Sequence, residues 1–136
     1  MQYDDFIGEV QQRAQLDSRE AALSISRATL TTLSERIDPG QAENLGAQLP
    51  DELARHLKAV DDAERFDHGE FVDRVGGREE IDGADAADTA FHARVVVDVL
   101  DEAVTGDALE DVKNQLPTDE GYDDLFEVAE SEGSPA

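Results

Sequence analysis

Residues 94–100 read RVVVDVL, and the structure of this stretch decides the fold. On its own, a run of β-branched valines is typical of a β-strand. The earlier stretch RATLTTL, residues 27–33, aligns with it at an offset of 67 residues, and its apolar residues follow a helical spacing. We therefore predict a long helix at both places and an all-α protein.

The same alignment extends along most of the chain. The tripeptide Gln48-Leu49-Pro50 recurs as Gln115-Leu116-Pro117. The apolar face of the first helix recurs at an offset of 65 residues, where Tyr3, Phe6, Ile7 and Val10 match His68, Phe71, Val72 and Val75. The sequence thus predicts an internal duplication, with about two residues inserted between Asp82 and Ala90.

Each copy is predicted to contain about four helices, and the two copies to pack as one helical bundle with pseudo-twofold symmetry. The predicted boundaries are a first repeat at residues 1–58, a connecting segment at 59–66, a second repeat at 67–126 and a flexible acidic tail at 127–136. The second long helix is apolar nearly all round, because Val95, Val96 and Val99 lie off its main apolar seam. Such a helix is buried on several sides, so we expect it near the centre, with any surplus apolar surface available for an interface.

Helix starts are predicted from capping signals at Asp17, Asp38, Asp67 and, more weakly, Asp82. The tripeptide Gln-Leu-Pro is predicted to be a hinge between two short helices. Because a residue before proline disfavours helical angles, the first short helix should end at Gln48 or Leu49. Pro50 should then begin the next helix.

Charge is the strongest feature of the composition, with 34 acidic and 11 basic residues and a formal net charge of −23. The acids are spread over every segment and lysine is scarce, which favours adaptation of the whole surface to molar salt. Mimicry of nucleic acid and chelation of cations are the alternatives. The first half is the less acidic, with 13 acids and 7 bases in residues 1–66.

The chain has no cysteine, which excludes disulfides and thiolate metal ligands. Its first residues lack a basic region followed by an apolar run, and no apolar stretch approaches the ~20 residues of a membrane helix. We therefore expect a cytoplasmic protein without a membrane segment.

The opening segment YDDFIGEVQQRAQLDSREAA, the long helix and GAQLPDELARHL together resemble the haloarchaeal and bacterial family called domain of unknown function 2267. The second copy, with FDHGEFVDRV and NQLPTDEGYDDLF, resembles the same pattern, so the resemblance covers residues 2–126. It implies an all-helical tandem repeat and no established activity.

Catalytic and cofactor motifs are absent, so we predict a protein that is not an enzyme, with no catalytic, cofactor-binding or metal-binding residues. Two pairs, Glu52 with His56 and Asp88 with His92, stand four residues apart and could begin a metal site, but two ligands do not complete one. Solvated ion pairs are the expected outcome for both. The acids Asp82, Asp85 and Asp88 lack the spacing of a calcium loop.

These patterns favour a non-enzymatic interaction or regulatory module that binds an unknown protein partner or itself. The alternative is a nucleic-acid-associated protein, through helix-turn-helix-like binding or acidic mimicry of DNA. Direct binding of nucleic acid is disfavoured, because the arginines of the first two helices are spaced among acids rather than clustered. These are Arg13, Arg19, Arg27 and Arg36.

Overall fold

A computed structural model of the protein describes residues 1–57, 63–79, 85–105, 108–122 and 125. Within these ranges all regular structure is helical, so the all-α class is confirmed. Seven α-helices are described: α1 (Tyr3–Arg13), α2 (Arg19–Arg36), α3 (Pro39–Gly46), α4 (Asp51–Ala54), α5 (His68–Arg78), α6 (Ala86–Ala103) and α7 (Ala108–Asn114). Two short 3₁₀ turns complete the description, at Arg55–Leu57 and Thr118–Glu120.

The long helices α2 and α6 form the centre of the core. On α6, Val96 and Val99 are fully buried and Val95 is 1% exposed. Valine costs about 0.5 kcal/mol relative to alanine in a helix, whereas burying its side chain contributes about 1.5 kcal/mol or more. Burial therefore outweighs the strand preference of RVVVDVL, and the predicted helix is confirmed there. These valines lie in the core of the chain itself, so they supply no free apolar surface for an interface.

The shorter helices α1 and α5 each contact both long helices. At the end of α1, Arg13 donates to Asp98 on α6 at 2.6 Å and also pairs with Glu102. At the end of α5, Arg78 donates to both carboxylate oxygens of Glu35 on α2, at 2.6 and 2.7 Å. Each short helix is thus held by its terminal arginine to the long helix of the other half.

The Gln-Leu-Pro segments differ slightly from the predicted hinge. Helix α3 ends at Gly46 rather than at Gln48 or Leu49. The reason is a tight turn, in which the amide of Gln48 donates to the carbonyl of Leu45 and that of Leu49 to the carbonyl of Gly46. Leu49 is buried as predicted, and Pro50 directly precedes α4.

The glutamine of each segment reaches across to the other half of the chain. Oε1 of Gln48 accepts from the amide of Thr105 at 2.7 Å. Oε1 of Gln115 accepts from the amide of Asp38 at 2.8 Å. Both amides lie directly after a long helix and its C-cap residue, so each glutamine fixes the exit of the opposite long helix.

The caps agree with the sequence in part. Asp67 caps α5 as predicted, by accepting from a backbone amide at 2.9 Å. Helix α2 is capped by Ser18, one residue after the predicted Asp17. Helix α6 is capped by Asp85, which forms a capping box with Asp88. The weaker predicted cap, Asp82, lies outside the described residues.

A buried tyrosine joins the start and the end of the second half. The hydroxyl of Tyr122 donates to the carbonyl of Phe66 at 2.6 Å, and Nε of Arg36 donates to the same oxygen at 2.9 Å. Burial is the main cause that raises the pKa of Tyr122 to about 12. Phe66, just before α5, is thereby hydrogen-bonded both to α2, through Arg36, and to Tyr122.

Two predicted segments are described only partly or not at all. Of the connecting segment 59–66, residues 59–62 lie outside the described ranges, and so does the whole tail 127–136. A membrane-spanning helix is not among the described elements, since none combines the required length with sufficient hydropathy.

The burial of Val96 leads to a first prediction. We expect Val96→Asp to lower the free energy of unfolding by more than about 4 kcal/mol, because it places an unpaired carboxylate in the core. Phe91→Asp, at a partly exposed position of the same helix, should change it by about 0.5 kcal/mol or less. Urea unfolding at high salt measures both, and a stable Val96→Asp variant would contradict the packing of α6.

The glutamine contacts between the two halves of the chain lead to a second prediction. Gln115→Ala should lower the free energy of unfolding by about 1 kcal/mol, since it removes the acceptor of the Asp38 amide. Gln12→Ala, on the exposed face of α1, should have an effect of about 0.5 kcal/mol or less. Equal effects of the two substitutions in thermal unfolding would show that the Gln115 contact contributes nothing.

Candidate anion-binding site

Most described arginines are paired with carboxylates, as expected of so acidic a chain. The residues with such partners include Arg13, Arg19, Arg36, Arg74 and Arg78. Across the part of the chain that the structure describes, Arg27, Arg55 and Arg65 form no ion pair. In a chain with 34 acids, an arginine without a carboxylate partner is unusual.

Two of the three unpaired arginines meet around one histidine. Arg27 lies on the exposed face of α2, and Arg55 begins the 3₁₀ turn that packs against α2. His56 follows Arg55 in this turn. Burial is the main cause that lowers the pKa of His56, and the charges of Arg55 and Arg27 lower it further. The local potential is therefore positive.

An open cleft of about 250 Å³ lies beside these residues, and we call it the outer cleft. Its lining is Ser24, Arg27, Ala28, Thr31, His56 and Arg78. No carboxylate belongs to this lining, although Glu35, outside the lining, accepts hydrogen bonds from the guanidinium of Arg78. Positively charged and hydroxyl groups thus surround the space.

A second cavity of about 170 Å³, the inner cavity, shares Arg27 and His56 with the outer cleft. The rest of its lining is Tyr3, Ile7, Leu23, Ser26, Glu52, Leu53 and Arg55. Oγ of Ser26 and Nε2 of His56 are fully buried and have no hydrogen-bond partner in the protein. Buried polar atoms are nearly always hydrogen-bonded, so these two indicate a place where a ligand or solvent supplies the partner.

Comparison with known proteins places the chain in a family. The model of a family described as "Uncharacterized conserved protein (DUF2267)" matches residues 3–125. The chain belongs to the DUF2267 family. No curated protein is significantly similar to it. The family description of DUF2267 names no activity.

The two pairs that the sequence of this DUF2267 protein suggested as possible metal ligands have different surroundings in the structure. Glu52 and His56 both line the inner cavity but form no ion pair with each other. Asp88 is used in the cap of α6. The expected solvated ion pairs are therefore wrong, and within the described ranges no group of three potential metal ligands occurs.

His92 has a different neighbour from the one that its spacing suggested. Its Nδ1 lies 3.7 Å from Oε2 of Glu79, at the end of α5. The other oxygen of Glu79 accepts from the hydroxyl of Thr89 at 2.7 Å. The Glu79 side chain is 3% exposed, so this pair is buried.

The sequence did not reveal the site around Arg27, Arg55 and His56 of the DUF2267 chain. Arg27 and Arg55 are far apart in the sequence and are brought together only by the packing of the 3₁₀ turn on α2. One local signal was available, because Arg27 has no acidic residue three or four positions away on its helix.

The environment of His56 leads to a third prediction. Because its pKa is lower in the folded than in the unfolded protein, the unfolded state binds more protons near pH 6. The free energy of unfolding should therefore fall as the pH drops through about 6.5, and His56→Gln should flatten this dependence. Glu35 and Glu102, whose pKa values are lowered mainly by hydrogen bonds from Arg78 and Arg13, contribute only at lower pH.

Urea unfolding at several pH values, with NMR titration of the His56 ring, measures this effect. An imidazole pKa of His56 at or above about 6.5 would contradict the description of the site.

Proposed function

We propose that this DUF2267 protein is a non-enzymatic interaction module that binds an anionic group in the outer cleft. The observation that supports this most strongly is that Arg27 and Arg55, both without a carboxylate partner, lie beside the half-buried His56. A chain with three times as many acids as bases would readily neutralise such charges if they had no other use. Unpaired guanidinium groups are the usual protein donors for carboxylate and phosphate.

The groups around the outer cleft suit binding rather than bond cleavage. Arg27 and Arg78 supply fixed positive charge and directed N–H donors. The lowered pKa of His56 leaves its ring mostly neutral at pH 7, able to act as a donor or an acceptor. We therefore assign recognition, and no reaction, to the cleft.

The described surface also favours a polar partner. Only Met1 and Phe91 are large apolar residues with substantial exposure among the described residues. A stable hydrophobic interface needs a contiguous apolar patch, which two separate side chains do not provide. Recognition through charge is therefore the better proposal for a partner, and the buried valines of α6 no longer support self-association.

We further propose that the chain arose by duplication, with residues 1–58 and 67–126 as the two copies. Helices α1 and α5 each have 11 residues, and α2 and α6 each have 18. The contacts between the two halves also occur in equivalent pairs. The ion pair of Arg13 with Glu102 corresponds to that of Arg78 with Glu35. The hydrogen bond between Gln48 and Thr105 corresponds to that between Gln115 and Asp38. Pseudo-twofold symmetry accounts for both observations.

The cellular setting that we propose is a halophilic cytoplasm. A charge of −23 on 136 residues opposes folding unless salt screens it, and at molar salt the Debye length falls to ~3 Å. Exposed ion pairs then contribute little. A partly enclosed site such as the one at His56 keeps its electrostatic attraction better than the open surface does.

A nucleic-acid-associated role is the alternative, because the same arginines could contact a backbone phosphate. The two unpaired arginines favour it, whereas the net charge opposes a polyanion. Binding of a duplex also needs several basic residues along a track, and the first half offers one cluster.

The fourth prediction tests the proposed function. Sulfate, phosphate and acetate, added in turn to the full chain in potassium chloride, should include at least one anion that shifts the NMR signals of the His56 ring and the Arg27 side chain in a saturable way. The double variant Arg27→Gln/Arg55→Gln should bind about tenfold more weakly, because it loses the charge-assisted donor Arg27 of the outer cleft and the neighbouring positive charge of Arg55. Arg65→Gln is the matched control, since Arg65 is unpaired and exposed but lies away from the cleft.

Absence of saturable shifts for every anion would refute the proposed function. A short DNA duplex is tested alongside in a mobility-shift assay at graded salt. Steeply salt-dependent binding of the duplex without binding of simple anions would establish the alternative.

A further inference from the structure

We infer that the anionic group is the phosphoryl group of a small phosphomonoester, held between Arg27, His56 and Arg78, with the organic part of the molecule in the inner cavity. This inference rests on the proposed function and narrows its ligand class. It depends on three properties of the site: the three elements that supply its donors, its charge, and the apolar lining of the inner cavity.

The donors come from three separate elements. Arg27 belongs to α2, His56 to the 3₁₀ turn and Arg78 to α5, and all three line the outer cleft. A planar carboxylate is satisfied by the fork of one guanidinium, whereas a phosphoryl group offers three oxygens in different directions. A cleft with donors from three separate elements therefore matches a tetrahedral group better than a planar one.

The free hydrogen-bonding capacity of these side chains is sufficient. Arg27 uses only Nε, in a long 3.5 Å bond to the carbonyl of Leu23, so its two terminal nitrogens keep four N–H groups. Arg78 uses one terminal nitrogen for Glu35 and Thr32 and the other for Glu35. Its Nε–H and one further N–H remain for a ligand.

The charge of the site matches a dianion. Glu35 neutralises Arg78, which leaves without a partner the charge of Arg27 in the outer cleft and that of Arg55 in the adjoining inner cavity. A phosphomonoester carries a charge of about −1.5 to −2 at pH 7, whereas a carboxylate carries only one negative charge. Glu52 lines the inner cavity and not the outer cleft, so the phosphoryl group belongs in the outer cleft.

The inner cavity fits the remainder of a small molecule. Its apolar lining is Tyr3, Ile7, Leu23 and Leu53, from α1, α2 and α4. A volume of about 170 Å³ holds one ring or a short alkyl group. A nucleic-acid strand would instead need an open groove along which successive phosphates could lie. The combination of a cationic cleft and a small apolar cavity thus selects a compact amphipathic phosphate.

Isothermal titration calorimetry on the full chain, in potassium chloride at pH 7.5, tests this inference with four probes. These are phenyl phosphate, benzoate, inorganic phosphate and a short oligothymidylate. Phenyl phosphate and benzoate carry the same ring, so their difference reports the phosphoryl group alone. Phenyl phosphate and inorganic phosphate differ by the ring, so their difference reports the inner cavity.

We expect phenyl phosphate to bind about tenfold more tightly than benzoate or inorganic phosphate, with one site per chain. Arg27→Gln should weaken phenyl phosphate about tenfold, and the control Arg65→Gln should change it less than about twofold.

The remaining outcomes overturn specific parts of the inference. Equal binding of benzoate and phenyl phosphate would reject the phosphoryl group while leaving the anion-binding function intact. Preference for inorganic phosphate over phenyl phosphate would reject the inner cavity as part of the site. Tighter binding of oligothymidylate would show that the ligand is a polymer. If no probe binds and no anion shifts His56, the inference and the proposed function both fail.

Discussion

The mutual burial of α2 and α6 is the constraint on which the rest of the structure depends. These two helices supply the centre of the core. Helices α1 and α5 pack on both of them, and the 3₁₀ turn after α4 packs on α2. The six residues from Val95 to Leu100 include four valines, which helices accept only when burial compensates for their low propensity. The valines of α6 are therefore compatible with a helix because they are buried, whereas the exposed residues are not under this constraint.

Arginine is used sparingly and for two purposes. On the helices that cross between halves, Arg13 and Arg78 bind the carboxylates of the opposite long helix and so orient the bundle. Beside His56, Arg27 on α2 and Arg55 in the 3₁₀ turn remain without such partners. In a chain with only nine arginines, Arg13 thus maintains the fold and Arg27 and Arg55 are available to a ligand, whereas Arg78 does both, since it binds Glu35 and lines the outer cleft.

Much of the fold was predictable, because its determinants are local. The helical spacing of RATLTTL identified α2, its match to RVVVDVL identified α6, and Asp67 was recognised as a cap. The start of α2 was misplaced by one residue, since Asp17 and Ser18 are equally good caps on sequence grounds alone. The candidate site was not predictable, because it combines Arg27, Arg55 and Arg78, which no spacing rule connects. The same reason explains why His92 meets Glu79 across two helices instead of Asp88 on its own helix.

The exchanged glutamine contacts couple the two halves of the chain. Gln48 accepts from a backbone amide of the second half and Gln115 from one of the first, so each contact forms only when both halves are folded together. Because the two halves lie on one chain, these contacts are intramolecular and are not weakened by dilution.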